Sequence, residues 1–133
     1  MARLFASALA EGIRPLGLAP AQFLVLIELW QQAGLTQRQL VERLDVEQAT
    51  MANTLNRMER DGLIVRRPHP DDKRAQVISP TQKATELEAP AKACAMNVNA
   101  RAMAGLDDEE RQTFIALANR IIEGLQDRQK DQR

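Results

Sequence analysis

The 133-residue chain has one cysteine, one histidine, one tryptophan and no tyrosine, and its 18 acidic side chains cancel its 18 basic ones. A lone cysteine cannot close an internal disulfide, so the fold is unstapled and a reducing compartment is expected. One Cys and one His cannot supply the roughly four ligands of a Cys/His zinc site, so no metal is expected. There is no Gly-rich phosphate loop, and the one His has no Ser partner with a plausible orienter. No catalytic residue and no cofactor is therefore nominated, and an enzyme is not expected. The apolar run Phe23-Leu24-Val25-Leu26-Ile27 stops at Glu28, well short of the ~18–20 residues of a membrane span. Arg3, the apolar run from Leu4 and Ala8-Leu9-Ala10 loosely mimic a secretory leader, but Glu11 follows at once. The expectation is a cytoplasmic protein with no membrane partner.

What is present is ordinary globular composition, 44% apolar and 27% charged with six Gly and six Pro, at a length suited to one domain of ~100–200 residues. The zero net charge hides a gradient. Residues 1–47 carry four basic and five acidic groups, residues 48–83 seven and four, and residues 84–133 seven and nine. Positive charge concentrates in the middle third.

Helical periodicity dominates. Leu4, Phe5, Ala8, Leu9 and Ile13 share a face, and Pro15 with Gly17 closes that segment. Pro20 suits the first turn of a second helix, with Phe23, Leu24, Ile27 and Trp30 as its apolar face and Gly34 as its end. Thr36 with Gln39 forms a capping box for a third helix that buries Leu40, Val41 and Leu44. After a tight turn at Asp45, Val46 and Glu47, a fourth helix runs from Gln48 to about Asp61, with Met51, Leu55 and Met58 on one face and Gly62 as a left-handed stop. The period then changes. Leu63–Arg67 and Ala75–Ser79 read as two short strands around a polar tip, a β-hairpin. A seam of Ala84, Leu87, Ala91, Cys94, Val98 and Ala102 follows, interrupted by Pro90, which should kink or break it. Asp107 with Glu110 caps a final helix whose apolar content is too broad for a lone helix, so part of it should face another chain. The tail after Gln126 is polar and expected to fray.

Two short helices, a tight turn and a hairpin make a winged helix-turn-helix: mainly α, with a small β-hairpin wing. If Met51, Leu55 and Met58 point inward, the opposite arc holds Ala49, Asn53, Asn56 and Arg60, flanked by Thr50 and Arg57, with Gln48 at its edge. Asn pairs with adenine, Arg with guanine, and Thr or Ala methyls touch thymine. Thr50 and Asn53, near the helix start, are best placed for base edges. Thr36, Gln37 and Arg38 at the start of the third helix suit phosphate. Lys73 and Arg74 at the wing tip suit a minor groove, with Asp72 orienting Arg74 by a charge-assisted hydrogen bond. Taken singly, each of these is also what a solvated polar face or turn looks like.

Together the residues carry a resemblance. Leu35–Leu40, Gln48–Met51 and Arg57–Arg66, the Asp72-Lys73-Arg74 wing and the Gly17–Phe23 helix opening are similar in order and spacing to the multiple antibiotic resistance regulator (MarR) family, over about residues 4–125. The resemblance implies one domain over 1–133, with a winged-helix lobe at about 19–83 and dimerisation helices at about 1–18 and 84–126. It implies a homodimer on pseudo-palindromic double-stranded DNA, with the helix from Gln48 in the major groove and Arg74 in the minor groove. It implies a transcriptional regulator, commonly a repressor, relieved by a small aromatic ligand or thiol oxidation. The chain departs from the family at Pro80 and Ala84, where a Leu and a Gly are usual, and at Glu47, where a Ser cap is frequent.

Cys94 lies on the apolar seam, where a thiol is usually inert packing. His69 is a loop residue or a phosphate contact. Phe23 and Trp30 are core by default, and with Arg14 they are the candidates to line a pocket for an aromatic anion. The rival reading, supported by zero net charge and acidic flanks, is a winged helix that docks protein without specific DNA binding.

Overall fold

Pro20 opens a helix and Gly34 precedes a strand at the places where the sequence puts its punctuation. The computed structural model describes residues 2–131. Helix α1 (Ala2–Ile13) passes into a single 3-10 turn at Arg14–Leu16, closed at Gly17. Helix α2 (Pro20–Gln31) buries Phe23, Val25, Leu26 and Leu29. Strand β1 (Leu35–Thr36) leads into α3 (Gln37–Leu44) and α4 (Gln48–Arg60), then β2 (Ile64–Pro68) and β3 (Gln76–Pro80). Helices α5 (Gln82–Glu86), α6 (Glu88–Ala102) and α7 (Asp108–Asp131) complete the chain. Two units are distinguished, Met1–Val98 and Asn99–Arg133.

The capping box at α3 is formed: Gln39 N donates to Thr36 Oγ1 at 3.1 Å and Thr36 N to Gln39 Oε1 at 2.9 Å. The turn from α3 to α4 passes through Asp45 at φ +52°, a left-handed position that Asp tolerates better than most residues. Gly62 ends α4 at φ +75°, where a Cβ would strain the backbone.

The wing is larger than the expected hairpin. The sheet has three antiparallel strands in the order β1-β3-β2, with Leu35 opposite Ile78 and Arg66 opposite Ile78 on its other side. A two-residue strand carries no readable period, and its pairing with β3 is non-local, so periodicity could not find it.

Pro90 does break the C-terminal seam. The interruption falls at Leu87, between α5 and α6, so Pro90 sits in the first turn of a new helix, where its missing N–H costs nothing. The last helix extends to Asp131, past Gln126, as the helix propensity of Gln, Arg and Lys allows.

In the first unit, Ile13, Leu26, Leu35, Leu40, Leu55 and Met58 are fully buried at the centre of one core. In the second, Asp107 and Glu110 form the expected capping box, with bonds of 2.8 and 3.0 Å. There α7 leaves Phe114, Ile115, Leu117, Ile121, Ile122 and Leu125 exposed.

Candidate nucleic-acid interface

The 3.6-residue period of α4 sorts its side chains into two faces. Met51, Leu55 and Met58 are buried, while Gln48, Ala49, Thr50, Asn53, Asn56, Arg57 and Arg60 are exposed. Glu47 occupies the cap position without a side-chain cap bond, so no side chain of its own satisfies the first amides of α4. Those amides and the positive end of the helix favour an anion, against which the Glu47 carboxylate works. At the start of α3, Arg38 is exposed and pairs with Glu42 at 3.4 Å, a surface pair that holds neither side chain firmly.

The wing tip is shaped by its own backbone. His69 N donates to Ala75 O at 3.1 Å and Ala75 N to Asp72 O at 3.2 Å. His69 Nδ1 accepts from the amides of Asp71 and Asp72 at 3.0 and 3.2 Å, which makes Nδ1 an acceptor and leaves the ring proton on Nε2. Asp72 acts differently from expectation. Its Oδ1 accepts from the backbone amide of Arg74 at 2.9 Å, so it shapes the turn that carries Arg74 rather than gripping the guanidinium. A carboxylate two residues back reaches a main-chain amide more readily than the end of a long side chain. Lys73 and Arg74 are exposed, and among the described residues no carboxylate pairs with either. Between the tip and α3 lies a groove of 650 Å³ lined by Thr36, Gln37, Arg38, Arg66, His69, Asp72, Lys73 and Arg74, among others. Four of these are cations and one is an acid; Arg38 and Arg66 pair with Glu42 and Glu59, so Lys73 and Arg74 supply the groove's uncompensated positive charge among the described residues.

Arg66 was not singled out from the sequence. Its Nη2 donates to Asn56 Oδ1 at 2.8 Å. Its Nε lies 3.6 Å from Glu59 Oε2, which is ion-pair range but too long for a hydrogen bond, so the buried Nε–H has no hydrogen-bond partner. The signal was available in β2. Period 2 puts Arg66 on the side of Ile64, opposite buried Ile78, which faces α4 rather than solvent.

The far end of α4 is anchored by Asp61. Its Oδ2 accepts from Gln22 Nε2 at 3.3 Å, its Oδ1 from Arg60 Nε at 3.2 Å, and its carbonyl from Lys83 Nζ at 2.9 Å. The Gln22 amide and then the Arg60 guanidinium hold its carboxyl below the usual carboxylate range. Thr81 adds a second tie, donating from Oγ1 to Gly62 O and capping α5 by accepting from Ala84 N at 3.2 Å. The fold thus accommodates Pro80 and Ala84 at the end of the wing, with Ala84 fully buried.

The chain and its fold have known counterparts. The sequence profile described as "MarR family" matches residues 18–75. A probable transcriptional regulator from Pseudomonas aeruginosa is 30% identical and superposes with a TM-score of 0.81, over 90% of this chain and 89% of that one. The chain belongs to the MarR family. The uncharacterized HTH-type transcriptional regulator YybA of Bacillus subtilis (strain 168) is 25% identical over 113 residues, 85% of this chain and 75% of that protein. A putative MarR family regulator from Listeria monocytogenes, solved in complex with a 26mer DNA, is 25% identical with a TM-score of 0.85, over 95% of this chain and 84% of that one. This MarR-family chain is thus a transcriptional regulator, not an enzyme, and among its described residues no single helix is long and apolar enough to cross a membrane.

The residues nominated for an aromatic ligand lie apart from α4's exposed face. Phe23 is buried in the core of this MarR-family fold, edge-on to Trp30 with ring centroids 6.2 Å apart. Trp30 Nε1 donates to Ala84 O at 3.1 Å, and Lys92 Nζ stands 5.8 Å from the Trp30 ring. Arg14 is exposed on the 3-10 turn. Cys94 is half-buried, its Cβ 3.7 Å from the place a side chain on Gly12 would begin.

Proposed function

We propose that this regulator binds pseudo-palindromic double-stranded DNA as a homodimer and acts as a repressor in the cytoplasm. The observation that carries the reading is the exposed arc of α4, from Gln48 through Asn53 to Arg57, beside a wing groove with four cations. In this reading α4 enters the major groove and Thr50, Asn53 and Arg57 meet base edges. Thr36, Gln37 and Arg38 hold phosphate, and Lys73 and Arg74 enter the minor groove. A lobe at about 19–83 binds DNA, and helices at about 1–18 and 84–126 pair the protomers. The exposed Ile121, Ile122 and Leu125 support the pairing, because a soluble monomer rarely leaves so continuous an apolar row uncovered.

An aromatic anion near Arg14, Phe23 and Trp30 is the effector in this reading, with Lys92 beside the indole as a further cation. It regulates only if it binds one spacing of the paired α4 helices better than another.

The test is a fluorescence titration of mixed-sequence duplex DNA at low salt, repeated as salt is raised. Expected are binding at low salt and a linear fall of log affinity with log salt. Absence of binding at low salt favours the interaction-module reading instead.

A further inference from the structure

The contact between Arg66 and Asn56 carries a consequence for how α4 reads DNA. A guanidinium has only donors. The Asn56 atom facing Arg66 Nη2 at 2.8 Å is therefore Oδ1, and the orientation of the amide follows from chemistry alone. The bond is charge-assisted, so it outlasts an ordinary exposed amide contact. Arg66 is also restrained. Its side chain is only 21% exposed, it stands opposite buried Ile78 in the sheet, and Glu59 attracts its Nε from 3.6 Å. Asn56 itself is exposed on the outer face of α4. One lone pair of its Oδ1 is held by Arg66, which sets the plane of the amide and leaves the NH2 free for a ligand.

We propose that Arg66 is the positioning residue that fixes the amide orientation in which Asn56 meets DNA. The proposal rests on the DNA-binding reading above. With one of the two Oδ1 lone pairs engaged by Arg66, the NH2 points away from the guanidinium. That NH2 can meet an acceptor: a phosphate oxygen, N7 of either purine, guanine O6 or thymine O4. Arg66 thereby ties the wing strand to the reading helix, so a shift of β2 changes what α4 presents.

The experiment measures full-chain binding to duplexes enriched by the wild type from a randomised 26-base-pair library. It compares Asn56→Ala, Arg66→Met and the double variant, with Arg66→Lys as the conservative control and an unfolding midpoint for each. Asn56→Ala should lose affinity by about tenfold in the wild-type background and by less than about threefold in Arg66→Met, because the freed amide is no longer aimed. Arg66→Lys, which still donates to Oδ1, should keep most of the coupling and guards against Arg66→Met failing to fold. Loss that is uniform across duplexes identifies phosphate as the acceptor. Loss confined to one base position identifies a base edge. Equal losses in all backgrounds, or no loss with Asn56→Ala, overturns the proposal while the DNA-binding reading stands. A wild type that enriches no duplex overturns that reading and this proposal together.

Discussion

Gln22, the one buried polar side chain among the described residues, donates from Nε2 to Oδ2 of Asp61 at 3.3 Å while its Oε1 accepts from Ala19 N at 3.1 Å. One amide thus links the start of α2 to the end of α4. The bond is made to the ionised carboxylate, and it is the main reason the Asp61 pKa is lowered.

The sign of the pH effect follows. A carboxyl whose folded pKa is depressed adds stability above the unfolded value of about 3.9, and loses it as pH falls through the lower folded value. Asp61→Asn should therefore flatten the fall in urea midpoint between about pH 5 and pH 2. Unchanged slopes for variant and wild type would count against the Gln22–Asp61 tie.

Leu55 is fully buried where α4 meets the core. Leu55→Ala should cost ~2–5 kcal/mol in chemical denaturation, from lost transfer energy and the cavity left behind. A cost below about 1 kcal/mol would mean that the site collapses or is less buried than described.

Asn53→Ala and Arg74→Ala should fail in different ways on DNA. Asn53→Ala should relax choice at one base pair at a cost of ~1–3 kcal/mol. Arg74→Ala should weaken all sequences and reduce the salt slope by about one. Titrations across matched and single-mismatch duplexes separate the two, and a uniform loss for Asn53→Ala would remove its base-reading role.

His69 Nδ1 takes two main-chain amides. His69→Ala should speed hydrogen exchange at Asp71 and Asp72 and leave the unfolding midpoint little changed, since the tip buries little. His69→Asn, which offers an oxygen near the place of Nδ1, should restore much of the protection. Unaltered exchange in His69→Ala would show that the ring does not hold the turn.

Sedimentation tests the pairing of protomers. Ile121 and Leu125 are 66% and 61% exposed on α7, and converting both to Glu should turn a dimer into a monomer by placing charges in a dry contact. A wild-type chain that sediments as a monomer at micromolar concentration would end the homodimer reading.

The sequence by itself determined the main helices, the capping boxes at Thr36 and Asp107, and the two faces of α4. Those depend on local chemistry: the spacing of Met51, Leu55 and Met58, the reach of Thr36 to Gln39, and the left-handed tolerance of Gly62. It also placed positive charge in the middle third, where the exposed Arg57, Lys73 and Arg74 are found. Only the tertiary structure decided that Leu35 adds a third strand to the wing, that Asp72 holds a backbone amide, and that Arg66 turns inward to Asn56. Each of these is a pairing between short or single groups whose alternatives differ little in local energy. Packing against the rest of the chain, and not the residues' own preferences, chooses among them.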